Sequence, residues 1–158
     1  MPVPAAAPAA AVVDRAAKLC ARRGERFTPL RRRVLELIAA AQRPVGAYEL
    51  KDQLARERGP VAPPTVYRTL EFLDGQGLIH RIHSKNAYVV CAQAEAPHGA
   101  ELLLCRACGR VVEVPCAALE RHLFEHAASF GFAAERVAVE VVGVCRDCQA
   151  ESGRTTGG

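Results

Sequence analysis

Seven cysteines occur in 158 residues, and four of them form two pairs with the same gap: Cys105 and Cys108 in "ELLLCRACGRVVEV", Cys145 and Cys148 in "VCRDCQ". A Cys-x-x-Cys spacing lets both thiolates of a pair face one ion, each about 2.3 Å from a zinc. Each pair closes an apolar run, and Gly109 relieves the first turn. Thirty-six residues separate the pairs, more than a zinc ribbon uses, so the expected site staples a domain rather than one hairpin. Four sulfurs complete a tetrahedron and leave no position for a substrate, which makes the predicted zinc structural. By comparison with zinc-finger peptides, its binding contributes on the order of 10 kcal/mol to folding. The competing chemistry is a thioredoxin-type redox pair. Against it, no βαβ pattern surrounds either pair, and neither is expected at the helix N-terminus that lowers a thiol pKa.

The elements that must position these groups can be read from periodicity. "VVDRAAKLCARRG" reads as a short helix with Val13, Ala16, Ala17 and Cys20 on one face. In "RFTPLRRRVLELIAAA", Thr28 is the predicted N-cap and Pro29 the first helical residue, ahead of a stripe of Leu30, Val34, Leu37, Ile38 and Ala41. "GAYELKDQLARERG" is a third helix, with Leu50 and Leu54 inward and Gly59 as its stop. The fourth lies in "VAPPTVYRTLEFLDGQG", where Pro63 and Pro64 predict an extended approach, Thr65 a cap, and Val66, Leu70 and Leu73 the inner side. "LIHRIHSKNAYVV" reads as a hairpin around "SKNA". Helices followed by a hairpin describe a winged helix-turn-helix, whose last helix enters the major groove. The remainder reads strand ("AELLLC"), strand ("RVVEV"), helix (about Cys116 to Phe130) and strand ("RVAVEVVGVC"), an antiparallel sheet with a helix whose open side invites a second copy. The expected fold class is therefore α+β. Its expected parts are a disordered tail over 1–13, a winged-helix DNA-binding domain over 14–90, a hinge over 91–99, a small α/β dimerisation and zinc-binding domain over 100–149, and a disordered tail over 150–158.

Charge follows the same division. Residues 1–85 hold 15 Lys and Arg against 8 Asp and Glu, while residues 86–158 hold 6 against 9. A basic N-terminal part suits a polyanion such as DNA. Arg68, near the start of the fourth helix, is the best-placed reader of a guanine edge, because arginine pairs bidentately with O6 and N7. Tyr67 is expected on a base methyl or phosphate, or in the core, and Thr65 on a phosphate. Arg22, Arg23, Arg31, Arg32 and Lys85 form a pool of phosphate candidates. No signal peptide is expected, since "PVPAAAPAAAVV" lacks a basic start and an apolar core, and no apolar run is long enough to cross a membrane. A cytoplasmic protein follows, in which thiols stay reduced and bind metal rather than form disulfides.

The combination of "TVYRTLEFL", a hairpin, "CxxCG" and a distant "CxxC" resembles the ferric uptake regulator family over roughly residues 14–148. The likeness is strongest to its zinc-responsive members, and it implies a second, sensing zinc. Such members take a histidine before the wing, a cysteine after it, a histidine before the first cysteine pair and a glutamate after that pair. Carried over one residue at a time, these are His80, Cys91, His98 and Glu113. Residue chemistry alone leaves His80 and His83 open; the family spacing selects His80. Each of the four also has a plainer reading: a surface histidine, a small buried thiol, a solvated linker histidine and a surface carboxylate. The resemblance adds Tyr48 as a base contact. One departure is that the His-rich run of iron-responsive members is replaced by "APHGAELLLC". A donor set of two imidazoles, one thiolate and one carboxylate also suits zinc better than a hard octahedral metal. His122 and His126 are four apart on a helix but lack matching partners, and Cys20 and Cys116 are expected to pack.

These readings point to a non-enzymatic, zinc-responsive DNA-binding regulator, mainly a repressor of zinc uptake genes. It is expected to hold two Zn2+ per chain, to act as a homodimer on double-stranded operator DNA, and to use neither a membrane nor a small-molecule substrate. An iron- or peroxide-responsive member of the family is the alternative. A zinc-dependent hydrolase or deaminase is less favoured, because the His-x-Glu and Pro-Cys-x-x-Cys pattern is missing and both sites are filled by protein ligands.

Overall fold

The computed structural model describes residues 7–92, 94 and 100–154. Two compact units divide the chain, Met1–Pro97 and His98–Gly158. The first contains α1 (Ala9–Arg22), α2 (Pro29–Ala41), β1 (Val45–Gly46), α3 (Ala47–Arg58), α4 (Pro63–Gly75), β2 (Ile79–Ile82), a 3-10 turn (His83–Lys85) and β3 (Ala87–Val90).

Local chemistry sets the helix ends. Thr28 caps α2, its side-chain oxygen accepting from the Arg31 N–H at 3.3 Å, and Pro29 follows at the first helical position. Gly59 ends α3 at φ +84°, where a side chain would be strained. The start of α4 departs from expectation. Ala62 is the N-cap, Pro63 and Pro64 lie inside the first turn, and Thr65 is already helical, its N–H donating to the Ala62 carbonyl at 3.0 Å. Proline has no N–H to lose there, and its fixed φ is helical, so the two prolines start the helix rather than delay it.

Inward faces of the helices meet in one core. Val34, Leu35 and Ile38 of α2, Leu50 and Leu54 of α3, and Val66, Leu70 and Leu73 of α4 are buried with Leu78 and Ile79. Each such side chain contributes about 1.5–3 kcal/mol by leaving water. The first helix begins at Ala9, within the stretch expected to be a disordered tail, and buries Val12 and Val13. Three strands form an antiparallel sheet in the order β1-β3-β2, with His80 opposite Val89 and Ile82 opposite Ala87.

The second unit contains β4 (Ala100–Cys105), β5 (Val111–Pro115), α5 (Ala117–Ser129), β6 (Val139–Gly143) and α6 (Arg146–Arg154). Its sheet runs β5-β4-β6. The expected all-antiparallel sheet is corrected here: β4 is antiparallel to β5 but parallel to β6, with Cys105 beside Gly143. Parallel neighbours require a long crossover, and β5 with α5 supplies it. Residues 150–154, expected in a disordered tail, belong to α6. No helix among the described residues is long and apolar enough to cross a membrane.

Candidate metal centres and nucleic-acid interface

The parallel pairing of β4 and β6 explains the four-cysteine group. Parallel strands end on the same edge of a sheet. The first cysteine pair begins on the last residue of β4, and the second lies just beyond the last residue of β6. Backbone bonds hold the two ends in register: the Arg106 N–H donates to the Gly143 carbonyl at 2.9 Å, and the Cys145 N–H donates to the Cys105 sulfur at 3.3 Å. Gly109, at φ +75°, turns the first pair back on itself, its N–H reaching the Cys105 carbonyl at 3.0 Å. The sulfurs of Cys105, Cys108, Cys145 and Cys148 all lie within 4.8 Å of one another, and those of Cys108 and Cys145 are 3.8 Å apart.

These sulfurs do not behave alike. Backbone N–H groups of Cys108 and Cys145 directed at Cys105 lower its thiol pKa to about 6. The neighbouring Cys145 and Cys108 sulfurs push Cys148 up to about 12. Four thiolates cannot share so small a volume without a cation among them. A soft divalent ion with tetrahedral preference fits the donor set, and zinc is that ion. Contrary to the sequence-based expectation, the second pair does sit at a helix start, since α6 begins at Arg146. The convergence of both pairs is what argues for a metal: four sulfurs within 4.8 Å of one another are metal-site geometry, not that of an isolated dithiol. An exposed ion pair, Arg110 with Asp147 at 2.7 Å, joins the two cysteine turns.

Within the first unit, strand register brings a histidine and a cysteine together. His80 of β2 faces Val89 of β3. Two residues past Val89 is Cys91, whose N–H donates to the Leu78 carbonyl at 3.0 Å and so extends the ladder. Residues opposite one another and two apart share a face, so His80 and Cys91 are diagonal neighbours. Both are buried, and their ligand atoms lie within 4.8 Å. His83 is exposed in the 3-10 turn, away from this face. Glu113 is half-buried on β5 of the second unit, opposite Leu102. His98 lies outside the described residues.

The DNA-facing candidates lie on α3 and α4. Val66, Thr69, Leu70 and Leu73 turn α4 toward the core, which leaves Thr65, Arg68 and Glu71 in solvent. Tyr67 is half-buried against the core, and Tyr48 on α3 is 67 % exposed. The pool of phosphate candidates divides. Arg23 donates to the Gln76 carbonyl at 2.8 Å and to its side-chain oxygen at 3.0 Å, capping the C-terminal end of α4. The Arg31 guanidinium lies 3.4 Å from the centroid of the Phe72 ring, and Arg32 packs over Phe27. Arg22 and Lys85 are exposed. A cationic side chain that holds the fold in this way was not separable in the sequence from one that meets phosphate, because its partner lies 53 residues away for Arg23.

The other singled-out residues are placed more simply. Cys20 and Cys116 are buried, and burial pushes both thiols up, as for inert packing cysteines. His122 and His126 are exposed on α5 with their rings stacked, Phe130 meeting His126 edge-on at 5.1 Å.

The ferric uptake regulator family model matches residues 22–142. The zinc uptake regulation protein of Escherichia coli (strain K12) is 38% identical over 138 residues, covering 87% of this chain and 81% of that protein. A zinc uptake regulator complexed with zinc and DNA superposes with a TM-score of 0.86 at 34% identity, covering 93% of this chain and 99% of that one. Holo XcZur superposes with a TM-score of 0.82 at 40% identity, covering 89% and 98%. With its winged-helix unit, its mixed three-stranded second unit and its paired cysteines, the chain belongs to the ferric uptake regulator family.

Proposed function

We infer that this protein is a zinc-responsive DNA-binding transcriptional regulator, mainly a repressor of zinc uptake genes, and not an enzyme. The observation that carries the zinc reading is the buried His80–Cys91 pair beneath the wing of a DNA-binding unit. An imidazole and a thiolate in one dry corner are soft donors. They suit zinc and suit an oxygen-rich iron site poorly.

The sensing set is His80 and Cys91, completed by His98 and by Glu113 of the second unit. Two of these residues belong to β2 and the exit of β3; one lies in the segment that follows; one lies on β5. When bound, zinc supplies a four-coordinate cross-link among them. His80 and Cys91 offer their donors from a fixed strand pair. Ligation by both units narrows the placements open to the reading helix, which must match half-sites about one helical turn apart in a dimer. The coupling needed is about 1–3 kcal/mol, and linkage requires operator DNA to tighten zinc binding by the same factor. Cys105, Cys108, Cys145 and Cys148 hold the structural zinc.

On DNA, Arg68 reads a guanine edge. Thr65, Tyr67 and Tyr48 contact phosphate or base around it. The homodimer uses the second unit, where Leu119, Phe130, Phe132, Val141 and Val142 are exposed apolar side chains. The protein is cytoplasmic, where its operator and its reduced thiols are.

Operator binding against buffered free zinc tests the reading, with Cys91→Ser and His98→Ala in parallel. Affinity of the unaltered protein rises with free zinc. The two variants lose that rise while keeping one tightly held zinc per chain by native mass spectrometry, against two in the unaltered protein. A Cys91→Ser protein with an intact zinc response refutes the assignment.

A further inference from the structure

Arg15 lies on the α1 face that also carries Val12, Ala16 and Leu19, all buried. Its guanidinium reaches residues more than seventy positions later. One terminal nitrogen donates to the Cys91 carbonyl at 3.0 Å and the other to the Ala92 carbonyl at 3.1 Å. Its Nε is sealed from solvent and has no hydrogen-bond acceptor among the described residues. An arginine serving solubility keeps its head in water. This one gives up hydration at Nε to hold two consecutive carbonyls at the point where the chain leaves β3.

The place matters more than the bonds. Cys91 donates its own N–H to the Leu78 carbonyl at 3.0 Å. Its backbone is therefore gripped on both sides, at the nitrogen by Leu78 just before β2 and at the carbonyl oxygen by α1. With both backbone groups held, the Cα–Cβ direction of Cys91 is fixed toward the His80 face, from which its sulfur extends.

We propose that Arg15 is a positioning residue for the sensing site: by clamping the Cys91 and Ala92 carbonyls it presents the Cys91 sulfur beside His80. This rests on the zinc-sensing reading of His80 and Cys91. Partners that orient a metal ligand without touching the metal change metal affinity by about 10–100-fold. Arg15→Met keeps the aliphatic stem and removes both hydrogen bonds. Arg15→Lys keeps the charge and can hold one carbonyl.

The test is zinc affinity at the sensing site, measured on the full chain by competition with a chromophoric chelator. It is read together with the thiolate-to-metal charge-transfer band after cobalt substitution. Arg15→Met is expected to weaken that site about 10–100-fold, to alter the cobalt band and to leave the four-cysteine zinc in place. Arg15→Lys is expected to fall between. A purely structural arginine would lower the melting temperature equally with and without zinc and leave the affinity and the band alone. Affinity of Arg15→Met within twofold of the unaltered protein, beside a Cys91→Ser control that loses the site, overturns the proposal alone. Retention by Cys91→Ser as well overturns the site assignment and the proposal with it. If Arg15→Met does not fold, Arg15→Lys is decisive on the same two readouts.

Discussion

The two candidate centres differ in where their donors come from. All four sulfurs of the cysteine group belong to one unit, and the parallel ends of β4 and β6 carry them to one edge. The group is complete when that unit folds. In the proposed sensing site His80 and Cys91 are half of the set, prepared by the register of β2 on β3 inside the other unit. A centre closed within one folding unit stabilises that unit and has nothing to report. A centre whose donors are divided between units can report, since filling it changes what the units do together. On this reading the same element type, a short strand pair, builds a staple in one place and half of a switch in the other.

The sharpest test of this contrast is Cys145→Ser. The closed centre should lose its ion and the second unit its fold, since the linked binding free energy is on the order of 10 kcal/mol. Loss of the second unit's circular-dichroism transition, with the first unit's melt retained, is the expected outcome. A Cys145→Ser protein that melts like the unaltered chain would break the distinction, because the group would then be no staple.

How much of this was legible in the sequence follows from the range of the forces involved. Thr28 and Pro29 announced α2 because a cap and a first-turn proline act within three residues. The run "AELLLC" gave β4 its limits because its turn chemistry is local. The two-residue β1 escaped, since only its pairing with Tyr88 and Ala87 makes it a strand. The parallel placement of β6 escaped for the same reason, although the convergence of the cysteines depends on it. Alanine-rich sequence before residue 14 read as tail, yet alanine is the best helix former and Val12 and Val13 have a core to meet. Among the site residues, residue chemistry left His80 and His83 open and the family spacing selected His80; only the register of β2 on β3 sets His80 diagonal to Cys91. Arg15, Arg23 and Arg31 reveal their roles only through partners distant in the chain.

The DNA-reading side sharpens the comparison at a smaller scale. Arg68→Ala should cost about 1–3 kcal/mol of discrimination at one base pair and relax preference there, with zinc stoichiometry unchanged. Arg23→Ala is its control. The Arg23 side chain is spent on Gln76, so its loss should leave the salt dependence of DNA binding unaltered, whereas a lost phosphate contact lowers that slope by about one. Binding titrations at several salt concentrations separate the two. An Arg68→Ala protein with undiminished preference would remove α4's exposed face from the reading role.

The smallest expected effect concerns acid, and it again divides the units. In the first, Arg33 of α2 donates through Nε to Glu57 of α3 at 2.8 Å, and this bond holds the Glu57 carboxyl below its ordinary value of 4.5. A carboxyl with a lowered folded pKa stabilises the fold fully above its unfolded value and loses that contribution as pH falls through the folded value. Glu57→Gln should therefore match the unaltered protein in strong acid and be slightly less stable from about pH 5 upward, by little because the pair is partly solvated. The second unit should respond at higher pH, since its ligands bind the ion only as thiolates, and acid releases the ion before carboxylates protonate. Melting curves of the two units across pH 3 to 7 should thus separate, the second failing first. If instead both fail together with Glu57, the second unit does not owe its stability to a bound ion.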